Sequence, residues 1–468
     1  MSKFYRILLC ILAANLLTAC ASYYQKLAEF NADFESGNLT KANEFLTKDK
    51  KGQSGKNELL FHLNKGTIEH LLGNYSESNV QFNQADLMVE DYQKKLGDQA
   101  LAMVTNQMNA PYQGEDFEKV MIHYYKAINY LKLNDNENAL IEARRLNLKL
   151  QSLNDKYKNK NKYHVDAFGL NLIGLIYQAD HDYNNAFIAY RNALEAYENS
   201  YIKQFNINAP LQLKKDLIYC AYKSGFPEEV SFYENKFQLK YESNNSENGD
   251  LLFFWNNGLG PVKSENSINF TKTGANENYL TFVNQEYNLN FTVPYRSNKN
   301  KKEEEGFASL ELIRVAFPKY IARTPYYESS SLSYGQTTQN LELAEDLNGI
   351  AFKTLEDRMQ REIGNALIRL ATKKAAEYAM RDQNQNLGAL VGVVNAVTEK
   401  ADTRNWQTLP YQISYTRMSL PAGKQSIKWT GKAIKGGQNK EQMFTFEIGK
   451  GLTTFQLFQS LEVAKSVN

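Results

Sequence analysis

The sequence predicts an α+β protein in which an all-α amino-terminal part precedes a mixed carboxyl-terminal part. Three observations support this fold class. Apolar residues recur at helical spacing from about 24 to 242, where Gly and Pro are sparse; a polar linker occupies 243–249; strand-like runs alternate with turns from 250 onward. The length of 468 residues suits two or three domains. We therefore divide the chain into a signal segment (1–19), a helical repeat domain (20–242), the linker and an α+β domain (250–468).

The composition excludes several classes of protein. Hydrophobic residues make up 43% and charged residues 23% of the chain, as in folded globular proteins. The net charge of +2 gives no basic footprint, so we expect no nucleic-acid partner. Three cysteines cannot build a disulfide framework, and five histidines leave little material for a metal site.

The first twenty residues have the layout of a bacterial lipoprotein signal. Lys3 and Arg6 precede an apolar run over 7–17 that is too short to span a bilayer. The run ends in Leu-Thr-Ala-Cys, the pattern that a lipoprotein signal peptidase cleaves between Ala19 and Cys20. Cys20 is then acylated, and several acyl chains give stable attachment to membrane lipid. The alternative is an ordinary cleaved signal with an accidental cysteine.

The residue after the cysteine indicates to which membrane the lipoprotein is sorted. Ala21 follows Cys20, whereas an Asp at this position is associated with retention in the inner membrane. We therefore expect a lipid-anchored protein of the cell envelope, at the outer membrane and facing the periplasm.

The helical part contains internal repeats. Small and aromatic residues recur in the spacing of a tetratricopeptide repeat, and three copies can be recognised. The first copy has Gly66, Tyr75, Phe82 and Ala85, and the second has Ala127, Tyr130, Ala139 and Ala143. The third has Gly174, Tyr177, Tyr183, Ala186, Tyr190 and Ala193. Small residues allow the two helices of a pair to approach, and aromatic residues fill the space beside them. Because one pair cannot bury its apolar face alone, pairs stack. The pattern predicts a tetratricopeptide-like solenoid.

The carboxyl-terminal part has antiparallel strand signals around one long helix. Strands are expected at 250–255, 278–282, 289–293, 310–318, 411–417, 425–430, 443–448 and 453–457. A long amphipathic helix is expected from about 342 to 381, followed by a short glycine-containing apolar helix over 387–397. These eleven residues are too few to cross a membrane, and we expect the short helix to be buried, with contact to a partner or a membrane surface as the alternative.

The sequence contains none of the common catalytic or cofactor-binding signatures. It has no glycine-rich phosphate loop, no HExxH, no GxSxG and no Cys/His pair at metal spacing. We therefore expect no enzymatic activity, no cofactor and no small-molecule ligand.

Two local groups of residues are candidates for an interaction site. The first comprises 112–119 and 142–145, in which Glu118, Glu142 and Arg144 are expected to form an ion-pair cluster. The second is 401–410, where Arg404 can pair with Asp402 or bind an anion and a large Trp406 suits a structural joint, with an interaction surface as the alternative. The candidate interaction residues are Tyr112, Glu115, Arg144, Arg145, Arg404 and Trp406.

These motifs carry a resemblance to a known family. The chain resembles a poorly characterised family of tetratricopeptide-containing bacterial envelope lipoproteins. The resemblance is carried by the cleavage motif that ends at Cys20 (the lipobox), by 112–116 with 142–145, by the Asn-Gly-Leu-Gly-Pro-Val loop at 257–262 and by the segment 401–410. The resemblance spans nearly the whole mature chain. Genes of that family often lie beside lipoproteins similar to penicillin-binding-protein activators and to the curli secretion channel. The resemblance implies a role in envelope assembly and supplies no functional residues.

These observations favour a membrane-anchored scaffold that binds envelope proteins through the groove of the repeats, in assembly or secretion. The alternatives are a surface lipoprotein that captures glycans or nutrients and an activator of a peptidoglycan synthase. The tryptophans discriminate between scaffold and glycan binding, because sugar-binding faces commonly use exposed aromatic rings. If Trp406 and Trp429 lie side by side on an open surface, glycan capture gains support; if both are buried, the scaffold does.

Overall fold

The computed structural model describes residues 22–95, 108, 110–156, 163, 165–243, 247–275, 279–294, 311–383 and 400–464. The predicted signal segment, Cys20 and the predicted apolar helix at 387–397 lie outside the described residues. The helices of the amino-terminal part are α1 (Tyr23–Lys26), α2 (Ala28–Glu35), α3 (Leu39–Lys48), α4 (Glu58–Leu71), α5 (Tyr75–Lys95), α6 (Asp116–Lys132), α7 (Asn136–Lys156), α8 (Ala167–Ala179), α9 (Tyr183–Ala196), α10 (Ile202–Phe205), α11 (Leu211–Lys223) and α12 (Pro227–Phe237). A 3₁₀ turn (Gly55–Asn57) precedes α4, and a π-helical turn (Tyr197–Tyr201) joins α9 to α10.

The helices pack as successive pairs. The pairs are α2/α3, α4/α5, α6/α7, α8/α9 and α11/α12, and the second helix of each pair also packs on the first helix of the next. The predicted register is confirmed inside two pairs: a Cβ on Gly66 would lie 2.8 Å from the Phe82 ring, and one on Gly174 would lie 2.5 Å from the Tyr190 ring. Glycine at these two positions lets the aromatic ring of the second helix lie directly on the backbone of the first.

The described residues of the carboxyl-terminal part form three four-stranded sheets. The strands are β1 (Asn248–Asn257), β2 (Val262–Ala275), β3 (Tyr279–Asn284), β4 (Leu289–Pro294), β5 (Leu312–Ile321), β6 (Tyr327–Tyr334), β7 (Thr337–Asn340), β8 (Glu342–Asp346), β9 (Gln412–Pro421), β10 (Gly423–Ala433), β11 (Lys440–Ile448) and β12 (Thr453–Ser460). Their orders are β12-β1-β9-β8, β11-β10-β6-β7 and β4-β3-β2-β5. We call these sheets the central, outer and lateral sheet. β1 pairs in parallel with β12 and antiparallel with β9.

The central sheet is buried on both faces. Leu252 and Phe254 of β1 point into the core that the helices form, whereas Leu251, Phe253 and Trp255 point into a second core against the outer sheet. Alternate side chains of a strand lie on opposite faces, so a strand buried on both faces needs a continuous apolar run. The run Leu-Leu-Phe-Phe-Trp supplies it. β1 begins at Asn248, within the segment predicted as linker.

The lateral sheet packs on the one long helix described in this half, α13 (Leu347–Gln383). Ile363 and Leu367 of α13 lie in one core with Phe270 and Phe282 of the sheet. The prediction that this helix begins near residue 342 is wrong, since 342–346 is strand β8, paired with β9. The helix begins only after Asp346, whose carboxylate accepts the Gly349 N–H at 2.9 Å and so caps the first turn.

Candidate functional site

Helices α6 and α8, the first helices of two repeat pairs, are covered by the protein's own central sheet. Nearly every residue of α6 is buried, on all sides of the helix. The Tyr124 hydroxyl of α6 donates to the Asn256 side-chain oxygen of β1 at 3.2 Å, and the ring of Phe168 on α8 lies 6.2 Å from that of Phe254. Along α6 and α8, the groove predicted for partners is therefore filled by the chain's own sheet. Sequence periodicity does not show this, because buried helix faces look alike whatever covers them.

Four of the candidate residues meet in the joint between the two halves, and they are buried. The carboxylate of Glu115 contacts the Lys263 ammonium and lies 2.5 Å from Nη1 of Arg358. Burial raises the pKa of Glu115, but the positive charges of Arg358 and Lys263 outweigh burial and hold that pKa well below its usual range. Glu118 beside it accepts the hydroxyl of Tyr112 at 2.6 Å. Burial and the Glu115 charge raise the pKa of Glu118.

Trp406 and Arg404 complete this joint. The Trp406 backbone N–H donates to Glu118 at 2.7 Å, and its indole N–H lies 2.8 Å from the Thr408 hydroxyl and 3.1 Å from that of Thr67. Arg404 pairs with Asp402 at 2.7 Å and also donates to backbone carbonyls of the helical half. The Asp402–Arg404 pair predicted from the sequence is confirmed. Since these side chains are satisfied within the chain, they form a structural joint rather than an exposed surface.

The two remaining candidates, Arg144 and Arg145, lie on α7. The predicted cluster of Glu118, Glu142 and Arg144 is wrong: the Arg144 guanidinium contacts Tyr177 on the next repeat, 5.2 Å from its ring. Glu142 instead binds the side chain of Arg145 at 3.5 Å. Arg144 cannot join Glu118, because it lies exposed on α7 while Glu118 is buried in the joint between the halves.

A buried charge network accompanies Glu142. Its carboxylate lies 2.8 Å from Nδ1 of His123 and 2.9 Å from Nζ of Lys126, and Asp86 from α5 lies 3.4 Å from the same ammonium. These contacts link α5, α6 and α7. Within the described ranges no group of three or more His, Cys, Asp or Glu side chains is arranged to hold a metal ion.

The tryptophans form no sugar-stacking platform. Trp406 lies in the joint, and Trp429 lies in the core between the central and outer sheets, where its ring is 5.8 Å from that of Trp255. All three are buried. The exposed pair of indoles that would favour glycan capture is therefore not found.

An open cleft of about 650 Å³ lies beside α13. Phe205, Phe352 and Met359 contribute apolar surface, and Asp346 is the carboxylate that caps the helix. Burial raises the pKa of Asp346. The described lining of this cleft includes no histidine, cysteine or serine.

The exposed apolar residues of the repeats follow a regular pattern. The sixth residue of the second helix is a large apolar residue in four consecutive pairs, with exposed fractions of 50%, 45%, 39% and 58% for Val80, Ile141, Ile188 and Phe232. The first pair has Glu44 at this position. We call the four residues the outer apolar row. Two further exposed leucines, Leu87 and Leu148, lie two turns later on the first two of these helices.

The row lies away from the covered side of the helix stack. Equivalent positions of stacked pairs lie on the same side, and the same helices bury their opposite faces, as Ala186 and Tyr190 do on α9. Sequence reasoning missed the row, although the signal was present once the register was known. In three of the pairs, the second helix has a small residue, at 78, 139 or 186, and the large apolar residue of the row follows two positions later.

The structure describes no helix that is both long enough and apolar enough to cross a membrane. No model of a known protein family matches the sequence, and no curated protein matches it significantly. Among solved structures, the chain is similar to the MamA protein, with 12% identity, a TM-score of 0.28 and coverage of 46% of this chain and 96% of that one. It is also similar to a tetratricopeptide repeat protein from Parabacteroides merdae, with 15% identity, a TM-score of 0.22 and coverage of 47% and 81%.

Proposed function

We propose that this chain is a lipid-anchored scaffold of the bacterial cell envelope that binds other proteins through the outer face of its helix pairs. The proposed anchor is acylated Cys20, exposed by cleavage after Ala19, and the proposed site is the outer membrane, facing the periplasm. In this proposal the protein has no catalytic role and its partners are components of envelope assembly or secretion.

The outer apolar row is the observation that carries the proposal. Single exposed apolar residues are normal on protein surfaces, but four at one register position of successive repeats form an ordered feature. Covering such side chains stabilises a complex by about 25 cal/mol for each Å² of apolar surface removed from water. Along α6 and α8 the inner face is covered by the central sheet, whereas the outer apolar row is exposed, so the outer face of these pairs is open to a partner. A partner that presents a complementary apolar surface fits it.

The test compares two variants of the anchored protein. After crosslinking in intact cells, we expect the wild type to purify with a specific set of envelope proteins. The variant Ile141→Asp/Ile188→Asp should lose them, because a charge on each helix prevents apolar contact. The control is Met443→Asp/Leu312→Asp, which places the same two charges at exposed apolar residues of β11 and β5. Retention of the partners by the row variant, or equal loss from the control, contradicts the proposal.

A third sample separates the anchor from the surface. Cys20→Ala should abolish the incorporation of labelled palmitate into the protein, while the purified protein keeps the partners' affinity for the outer apolar row. If the wild type and Cys20→Ala incorporate equal label, the proposed anchor is wrong even where partner binding is confirmed.

A further inference from the structure

The central sheet ends in a strand that has no described neighbour on its outer edge. β12 pairs with β1 and is the last strand of that sheet. The carbonyls of Leu452 and Ser460 accept backbone N–H groups on the β1 side, each at 2.9 Å. Backbone groups of alternate residues point to opposite edges of a strand, so those of Phe455, Leu457 and Gln459 point away from β1. An edge of this kind is able to pair with an added strand.

On this edge two carbonyl groups are already occupied, whereas N–H groups remain free. The Phe455 carbonyl accepts the Lys132 ammonium at 3.3 Å, and the Leu457 carbonyl accepts the Gln456 side-chain amide at 2.5 Å. No group in the described part of the chain accepts the backbone N–H of Leu457 or Gln459. The edge therefore offers hydrogen-bond donors, and a ligand that suits it supplies acceptors.

Lys132, the last residue of α6, brings a positive charge to the same edge. Besides the Phe455 carbonyl, its ammonium contacts the Gln456 side-chain oxygen at 2.9 Å and lies 5.9 Å from the centre of the Tyr75 ring. These described partners are all uncharged. Burial lowers the pKa of Lys132, as expected for an ammonium that no carboxylate compensates. The charge therefore favours an anionic ligand.

An open cavity of about 350 Å³ lies along this edge, between β12 and the turn that joins α4 to α5. Leu39, Leu71 and Leu72 contribute to its apolar wall. His70 also lines it, with Nδ1 2.6 Å from the Asn129 side-chain oxygen, and burial lowers the pKa of His70 to about 4, so this ring is neutral at pH 7. The volume is at the lower end for a ligand site, which suits the end of a peptide rather than a long segment.

The carboxylates near the cavity do not supply the missing negative charge. Four of them lie within three residues of a lining residue. Each is bound to another group: Glu69 to Lys65, Glu77 to Gln81, Asp135 to Asn138 and Glu462 to Lys440. Among the described lining residues, Lys132 is the one that is charged at neutral pH. The cavity thus combines a single positive charge with free N–H donors.

We propose that the free edge of β12, from Phe455 to Gln459, binds the carboxyl terminus of an extended peptide from another protein, with Lys132 as the partner of the terminal carboxylate. The peptide adds to the central sheet as a further strand, and its carbonyls accept the N–H groups of Leu457 and Gln459. Because β12 runs from 453 to 460, a peptide that ends at Lys132 lies antiparallel to it. We call this the β12 edge site. It goes beyond the proposed function, since it uses neither the outer apolar row nor Cys20.

The experiment uses the full mature chain with Cys20→Ser, immobilised and mixed with two pools of octapeptides whose last four residues are randomised. One pool ends in a free carboxylate and the other in an amide, and the retained peptides are measured by mass spectrometry. We expect the free-carboxylate pool to be retained about 10- to 100-fold more strongly, the range that a hydrogen bond to a charged group contributes. Lys132→Gln should abolish the difference and Lys132→Arg should keep it. The control Lys149→Gln removes a half-buried lysine of α7 outside the cavity and should have no effect.

A second pair of variants tests the added strand. Gln459→Pro removes a backbone N–H that faces the cavity, and an edge strand tolerates proline where that N–H points outward. Thr453→Pro makes the same change at the start of β12, away from Lys132. We expect Gln459→Pro to weaken retention of the free-carboxylate pool and Thr453→Pro to leave it unchanged. Circular dichroism confirms that each variant is folded.

Three outcomes overturn the inference. They are equal or absent retention of the two pools, a preference for the carboxylate that survives Lys132→Gln, and competition by N-acetylleucine as strong as that of the peptides, which would assign the site to a small carboxylate. Ile141→Asp/Ile188→Asp should bind the peptides normally. Failure of the outer apolar row as a partner surface and failure of the β12 edge site are therefore recognised separately.

Discussion

Replacing Trp406 by Ala tests whether the two halves of the chain are one cooperative unit. The side chain is 1% exposed and lies between the halves, 5.7 Å from the rings of both Phe82 and Tyr125. Removing a buried Trp costs about 3–5 kcal/mol. Its indole N–H also lies within hydrogen-bond distance of the hydroxyls of Thr67 and Thr408. The matched variant Trp406→Phe keeps a smaller ring and loses that donor and part of the packing, so it should cost less than the Ala variant, about 1–3 kcal/mol.

The assay is urea unfolding followed by far-ultraviolet circular dichroism for the helices and by tryptophan fluorescence for the sheets. With an m-value of about 3 kcal/mol per molar urea, Trp406→Ala lowers the midpoint by roughly 1 M or more. We expect both signals to move together, because helices and central sheet share one core. A variant in which fluorescence shifts while the helical transition stays at its wild-type midpoint would refute the shared core.

Two further predictions concern one helix pair and one buried acid. Gly174→Ala should lower the free energy of unfolding by about 1–3 kcal/mol, because its Cβ would lie 2.5 Å from the Tyr190 ring. The control is Gly364→Ala, whose Cβ would lie 3.7 Å from the nearest atom, so this variant should be neutral or stabilising in the same urea assay. Burial and the Asp166 carboxylate raise the pKa of Glu345 well above its usual range. The folded state therefore keeps a proton on Glu345 that the unfolded state releases. The free energy of unfolding should fall as the pH rises above the ordinary pKa of a glutamate. The fall is about 1.4 kcal/mol for each pH unit over which only the folded state keeps the proton. Glu345→Gln should flatten that dependence in urea midpoints measured from about pH 5 upward, and an unchanged slope would assign it to other groups.

The repeat register could be read from the sequence because it depends on local contacts. Gly66 and Phe82, like Gly174 and Tyr190, are sixteen residues apart, and a turn between two helices brings such residues together whatever the rest of the chain does. The continuous apolar run of β1 likewise indicates burial on both faces.

The position of the central sheet on the inner face could not be read in this way. It depends on pairings between residues far apart in sequence, such as Tyr124 with Asn256 and Glu115 with Lys263. Polar residues that meet only in the folded chain give no periodic signal. The same reason explains why the predicted cluster of Glu118 with Arg144 is wrong. The two residues are near in sequence, but in the folded chain each contacts different residues.

The boundary between β8 and α13 shows a different limit. Residues 342–346 read Glu-Leu-Ala-Glu-Asp, a composition that favours helix by local propensity. Pairing with β9 overrides that preference. The outer apolar row was accessible to sequence reasoning, since it needs only the register and the hydrophobicity of one position in each repeat.

The most direct test of the central claim is photo-crosslinking in living cells with a benzoylphenylalanine introduced at Ile188. We expect a discrete crosslinked product with an envelope protein at this position, and none from the same probe at Met443 on the outer sheet. Crosslinks at Met443 with none at Ile188, or no intermolecular product at either position, would contradict the assignment of the outer apolar row as the partner-binding surface.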